Sequence, residues 1–189
     1  MAVAATGCAA ATPAAKVPEK CPAQAVTVSL LGSPRVNPAP SGESRAVVVR
    51  VYQLTSDVRI SNARFEQIWK DDKVTLGDEL VKMDEQEVYP GTRVDLKFDR
   101  APTVEHVAAV ALFQNPQGRS WVASAELPPA PAPGEACGAS SCDAADEACR
   151  ARAAAASPKL SFFMDGNKVD DGAEHLDQFP SPGPIRERK

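Results

Sequence analysis

The sequence predicts an all-β protein with a small helical insertion, arranged as an antiparallel β-sandwich. Three observations lead there. A series of short segments carries the two-residue alternation or the β-branched density of strands. Turn-forming residues punctuate the chain between those segments. Between the strands, the stretch 60–72 switches to helical spacing.

Taken in order, residues 9–23 are a flexible linker of Ala, Pro and Lys that lacks the apolar content for a core. In AVTVSLL at 25–31, Val26, Val28 and Leu30 alternate with Thr27 and Ser29, the period of a half-buried strand. GSPRVNPAPSGESR at 32–45 is a long loop rich in turn residues. AVVVRVYQL at 46–54 is a second strand, with Val47, Val49 and Val51 on one face.

ISNARFEQIWKDD at 60–72 places Phe65, Ile68 and Trp69 on one face of a short helix. Ser61 is its expected N-cap, with Ile60 stapling against Phe65. Strands at 81–90 and 92–98 flank a Pro90-Gly91 turn, and Val94, Leu96 and Phe98 alternate with charges in the second of them. VAAVALF at 107–113 is apolar on both faces, so it belongs in the middle of a sheet. RSWVASAEL at 119–127 pairs with it across the 115–118 turn, and 159–170 reads as a hairpin about Asp165-Gly166-Asn167.

The sandwich domain is thus expected over 24–172, carrying a cysteine-bearing insertion at 128–158, with a disordered tail over 173–189. The 17 prolines gather in loops and tails, which keeps them out of the strands. Roughly 110–130 residues remain to fold, enough for one core.

Net charge is −4 with no block of Lys or Arg, which argues against a nucleic-acid partner. No apolar run approaches the ~20 residues of a membrane-spanning helix. ATGC at 5–8 has the form of a bacterial lipobox ending at Cys8, and residues 1–8 read as the remnant of an export signal. A complete signal would need a basic and an apolar region upstream of what precedes Cys8 here. The alternative is a plain thiol in a tail.

With Cys8 set aside, Cys21, Cys137, Cys142 and Cys149 make an even set, as two disulfides require. Residues 143–156 read as a short helix capped by Asp143, which would hold Cys142 and Cys149 about 10 Å apart, too far to bond. Cys137 is then expected to pair with one of them and Cys21 with the other. Free thiols remain an alternative. A metal site fits poorly, since C-x4-C-x6-C lacks a tight knuckle and His106 and His175 lie elsewhere.

Catalytic patterns are lacking. GASSC at 138–142 fails as a nucleophile elbow at its last position, and DGNKVDD at 165–171 has Leu176 where an EF-hand needs an acid. The acid pairs Asp71–Asp72 and Asp84–Glu85 read as solvated surface. No cofactor and no enzymatic activity are expected.

Several stretches in order carry a family resemblance: VNPAPSGESRAVVVRVYQL at 36–54, ARFEQIWKDDKVTLGDELV at 63–81, EVYPGTRV at 87–94, HVAAVALFQNP at 106–116, and Trp121. Together they resemble the TssJ (VasD/SciN-like) lipoproteins of bacterial type VI secretion systems. The resemblance implies a transthyretin-like sandwich, acylated at Cys8 and held at the periplasmic face of the outer membrane. It implies binding to the periplasmic C-terminal domain of TssM within a larger membrane complex. The loop after the first strand would make that contact, through Arg35, Val36, Asn37, Pro38, Ser41, Gly42 and Glu43. The 128–158 insertion departs from the family pattern. A competing reading is a periplasmic small-ligand carrier on the same sandwich, which would need an apolar pocket with a few convergent polar groups.

Overall fold

The computed structural model describes residues 24–130, 147–148, 151, 155 and 157–180. Eight strands form two four-stranded sheets. These are β1 (Ala25–Gly32), β2 (Val47–Leu54), β3 (Leu80–Val88), β4 (Arg93–Asp99), β5 (His106–Ala111), β6 (Val122–Glu126), β7 (Lys159–Asp165) and β8 (Lys168–Asp171). One sheet has the order β4-β1-β7-β8 and the other β3-β2-β5-β6. All pairs are antiparallel except β1–β7, which is parallel because β7 starts at the end of the sandwich where β1 begins, with Thr27 N–H donating to Pro158 O. The expected β-sandwich is therefore present, with one parallel pairing that alternation alone does not reveal.

The alternating residues meet between the sheets. Val26, Val28 and Leu30 of β1 and Val47, Val49 and Val51 of β2 are fully or almost fully buried. Phe162 and Met164 of β7 join them in the same apolar cluster. β5 lies between β2 and β6, as expected of its two apolar faces, and Val107 through Ala111 have no exposed surface. Side chains of both sheets meet in one apolar cluster between them.

Strands β3 and β4 are not a hairpin. The Pro90-Gly91 turn carries the chain from one sheet to the other, so β3 pairs with β2 and β4 with β1. The turn is tied to the end of β1. Gly32 N–H donates to Thr92 O, and Gly91 N–H returns a bond to Gly32 O, both at 2.9 Å. A Cβ at Gly32 would sit 2.7 Å from Tyr89 O, so the crossover requires glycine there.

The single expected helix over 60–72 is two: α1 (Val58–Asn62) and α2 (Phe65–Leu76). Ser61 lies inside α1 and does not cap it. At the start of α2, Arg64 N–H donates to Gln67 Oε1 at 2.9 Å. Asp71 breaks the helical path (φ −155°, ψ 82°) and its Oδ1 accepts from Val74 N–H, capping the second half. The buried stripe is Ile68, Asp72 and Leu76, so Trp69, expected on the inner face, is 59% exposed.

That stripe corrects the reading of Asp72 as solvated surface. Its Oδ2 accepts from Tyr52 Oη at 2.8 Å and lies 3.4 Å from the Arg50 guanidinium. Arg50 also donates to Ile68 O and to Glu85 Oε2. The RVYQL strand and the helical insertion are thus locked together by one charged cluster. Burial first, then the hydrogen bond to the Asp72 carboxylate, pushes the Tyr52 hydroxyl well above its usual range. Below about pH 10 the phenol is protonated in folded and unfolded chains alike. Above it only the unfolded chain ionises readily, so stability falls as pH rises through and beyond that value. Tyr52→Phe is expected to reduce this alkaline slope in urea unfolding, while costing about 1 kcal/mol at neutral pH.

The tail expected to be disordered from residue 173 begins with ordered structure. A 3-10 helix spans Ala173–Gln178. His175 stacks on Phe163 at 3.9 Å between ring centroids, and Phe179 is buried against the same ring. Phe163, the aromatic residue of β7 that points away from the core, gains a cover this way, which composition alone does not signal.

Candidate partner-binding end of the sandwich

Four connections converge at one end of the sandwich: 33–46, 89–92, 112–121 and 166–167. The loop 33–46 is built on them from within. Ser33 N–H donates to Met164 O at 2.8 Å, continuing the β1–β7 ladder, and Ser33 Oγ donates to Asp165 Oδ1 at 2.6 Å. Val36 has no exposed surface. Its C=O accepts from Arg45 N–H, which closes the base of the loop.

Asn37 is the keystone of this loop. It adopts φ 48°, a left-handed conformation that Asn tolerates better than most residues. Its N–H donates to Gly166 O at 2.7 Å and its Nδ2 to Ala46 O at 2.8 Å, while its Oδ1 accepts from Gln114 N–H at 3.0 Å. One 3%-exposed side chain and its backbone therefore join the loop to the β7–β8 turn, to the start of β2 and to the β5–β6 connection.

The expected contact residues divide accordingly. Val36 and Asn37 are buried and shape the loop; they present no side-chain surface. Pro38 is half-buried, and Arg35, Ser41, Gly42 and Glu43 are exposed. Arg35 reaches across to Asp165 Oδ2 at 2.6 Å with its side chain 80% exposed, so solvent screens the pair and it adds little stability. The tip closes as a turn: Gly42 N–H donates to Ala39 O, and Ala39 N–H to Glu43 O, both at 2.8 Å. Gly42 has φ 85° with open space around a Cβ, so only conformational strain opposes substitution. Gly42→Ala is expected to cost about 1 kcal/mol in thermal unfolding.

Tyr89 is a residue that alternation did not single out. It stands 53% exposed on the turn bonded to Gly32 and places an aromatic ring beside the loop base. Cys8, Cys21, Cys137, Cys142 and Cys149 lie outside the described residues, as does most of the expected 143–156 helix, of which Glu147, Ala148, Ala151 and Ala155 are helical. At the start of β1, Gln24 Nε2 donates to the carbonyl of Ala155, and the Arg100 guanidinium bonds Gln24 Oε1 at 2.6 Å and Pro128 O at 2.7 Å. Both ends of the 128–158 insertion thus meet the start of β1. No group of three or more potential metal-ligating side chains occurs among the described residues. No described helix is long and apolar enough to cross a membrane.

Comparison with known proteins places this architecture. A sequence search of curated proteins returns no match. In solved structures the fold is similar to the type VI secretion lipoprotein TssJ1 from Pseudomonas aeruginosa (TM-score 0.59, 18% identity, 79% of this chain and 95% of that one). It is similar to Serratia marcescens Lip, described as a membrane bound component of the type VI secretion system (TM-score 0.62, 20% identity, 78% and 96%). It also matches a chain in a structure described as the T6SS protein TssM C-terminal domain (869-1107) from EAEC (TM-score 0.56, 14% identity, 78% and 97%). Residues 24–145, more than half of the sequence, match the family described as type VI secretion lipoprotein, VasD, EvfM, TssJ, VC_A0113. The two-sheet sandwich with its helical insertion and the match across 24–145 agree, and the chain belongs to the type VI secretion lipoprotein family.

Proposed function

We propose that this lipoprotein is anchored to the periplasmic face of the outer membrane through acylated Cys8 and binds the periplasmic C-terminal domain of TssM with its 33–45 loop. The observation that carries the reading is the division of labour within that loop. Val36 and Asn37 are buried and fix its base, while Pro40, Ser41, Gly42 and Glu43 stand exposed at its tip. A tip held in place before binding loses little conformational entropy on docking. The family match supports the secretion role, and acyl chains at ~0.8 kcal/mol per buried CH₂ supply the anchor.

A photoreactive amino acid in place of Ser41 is expected to cross-link the TssM domain, whereas the same group at Lys97, on β4, is not. Efficient cross-linking from Lys97 with none from Ser41 would move the interface elsewhere. For the anchor, Cys8→Ser behind a complete export signal should release the protein into the soluble periplasmic fraction; retention in the membrane would contradict acylation at that residue. We further propose two disulfides among Cys21, Cys137, Cys142 and Cys149, one of them joining Cys21 to the insertion. The meeting of Gln24 with Pro128 and Ala155 through Arg100 and hydrogen bonds supports it. Peptide mapping without reduction should recover a Cys21-linked pair, and four alkylatable thiols would refute it.

A further inference from the structure

The two sheets have four edge strands, and three of them are defended. β4 carries Arg93, Asp95, Lys97 and Asp99; β3 carries Lys82, Asp84, Glu85 and Glu87; β8 carries Lys168, Asp170 and Asp171. Charged side chains of this kind stop a sheet edge from pairing with another chain. β6, with the sequence VASAE, has only Glu126.

The register tells which backbone groups this edge presents. Ala111 N–H donates to Trp121 O, and Leu127 N–H to Glu105 O. With Val107 opposite Ala125 and Ala109 opposite Ala123, residues 121, 123, 125 and 127 direct their N–H and C=O groups toward β5. Val122, Ser124 and Glu126 direct theirs outward. β8 bonds to the upper end of this strand, where Val169 N–H donates to Ser120 O at 2.7 Å. Below that point the sheets part around a depression of about 160 Å³, lined by Ala123 and Ala125 on one side and Leu160 and Phe162 on the other, with the charged Lys159 and Asp171 also in its lining. No described residue pairs with the outward backbone groups of β6.

We infer that the outer edge of β6 is a docking site for an extended segment of a partner protein, added as a fifth strand to the β3-β2-β5-β6 sheet. Its chemistry follows from the two faces of β6. Inward side chains of the added strand meet Ala123, Ala125, Leu160 and Phe162, so they are mainly apolar, flanked by the charges of Lys159 and Asp171. Outward ones meet Glu126 and the Asp57 carboxylate, which accepts from Ser124 Oγ at 2.8 Å, so they are basic. The ligand is a strand alternating apolar with Lys or Arg, held by main-chain bonds and sorted by side chains. A second copy of this chain fits less well. Pairing two β6 edges about Ser124 brings the Asp57 carboxylate of each copy against that of the other.

The test uses the full chain and a fluorescent peptide of alternating Val and Lys, followed by anisotropy, with an alternating Val and Glu peptide as control. Ser124 N–H points outward, so Ser124→Pro removes a docking donor without breaking the β5–β6 ladder. Ser124→Ala controls for the lost Asp57 bond. The expected result is saturable binding of the basic peptide, weakened about tenfold or more by Ser124→Pro and little changed by Ser124→Ala. The acidic peptide should bind worse. Binding indifferent to Ser124→Pro, or no binding by a folded chain, overturns the proposal. So does a self-association abolished by Ser124→Pro, which would make a second copy the occupant. Amides of Ser124 and Glu126 already protected from hydrogen exchange in the free chain would show the edge covered by the chain itself, and also overturn it.

Discussion

Asp72→Ala is expected to destabilise the fold by about 3–4 kcal/mol, the largest effect of any single surface-adjacent substitution here. The Asp72 side chain is 12% exposed and accepts from the Tyr52 hydroxyl while facing Arg50. Its removal leaves an arginine that is four-fifths covered with one acid fewer, and a buried hydroxyl with no acceptor. Asp72→Asn separates the two losses. It keeps an oxygen for Tyr52 but removes the charge facing Arg50, so it should cost about half as much. Urea unfolding followed by tryptophan fluorescence reads both, because Trp69 sits on the released helix and Trp121 packs edge-on against Phe65 at 5.5 Å. If Asp72→Ala unfolds at the same urea concentration as the parent chain, the cluster does not hold the insertion.

Asn37→Ala comes second, at about 3 kcal/mol. About 1 kcal/mol is the strain of alanine at positive φ. The rest comes from a Gln114 N–H and an Ala46 C=O that each lose a partner. Asn37→Gly removes the strain and keeps the hydrogen-bond loss, so it should recover about a third of the deficit. Both variants should also weaken binding to the TssM domain, because the exposed tip inherits its position from Asn37. Thermal unfolding measured beside binding separates the two effects: Asn37→Gly is expected to stay folded at 25 °C and still bind poorly.

These two residues also show where the sequence stopped being legible. Most strands are readable because they bury one face, which alternation of Val and Leu with polar residues reports directly, and β5 because its apolar run buries both. The inner helix stripe was not, because its middle member is an aspartate; a charge at a core position reads as surface until its partners Tyr52 and Arg50 are brought beside it. Helical spacing instead favours Trp69 for the inner face, where the structure leaves it exposed. Asn37 was legible as important but not in its role, since its three bonds go to residues 9, 77 and 129 positions away in sequence. The Pro90-Gly91 turn has the composition of a hairpin turn, yet the change of sheet depends on its approach to Gly32, a contact between distant segments. The parallel β1–β7 pair was hidden for the same reason.

The most direct measurement of the central claim is titration calorimetry of the unacylated Cys8→Ser chain against the periplasmic C-terminal domain of TssM, with and without residues 40–43 replaced by Gly and Ser. Val36 and Asn37 stay in place, so the sandwich and the loop base are left intact. Saturable binding that weakens about tenfold or more on replacing the tip is the predicted result. Equal affinity in both chains, with the fold unchanged, would contradict an interface on this loop.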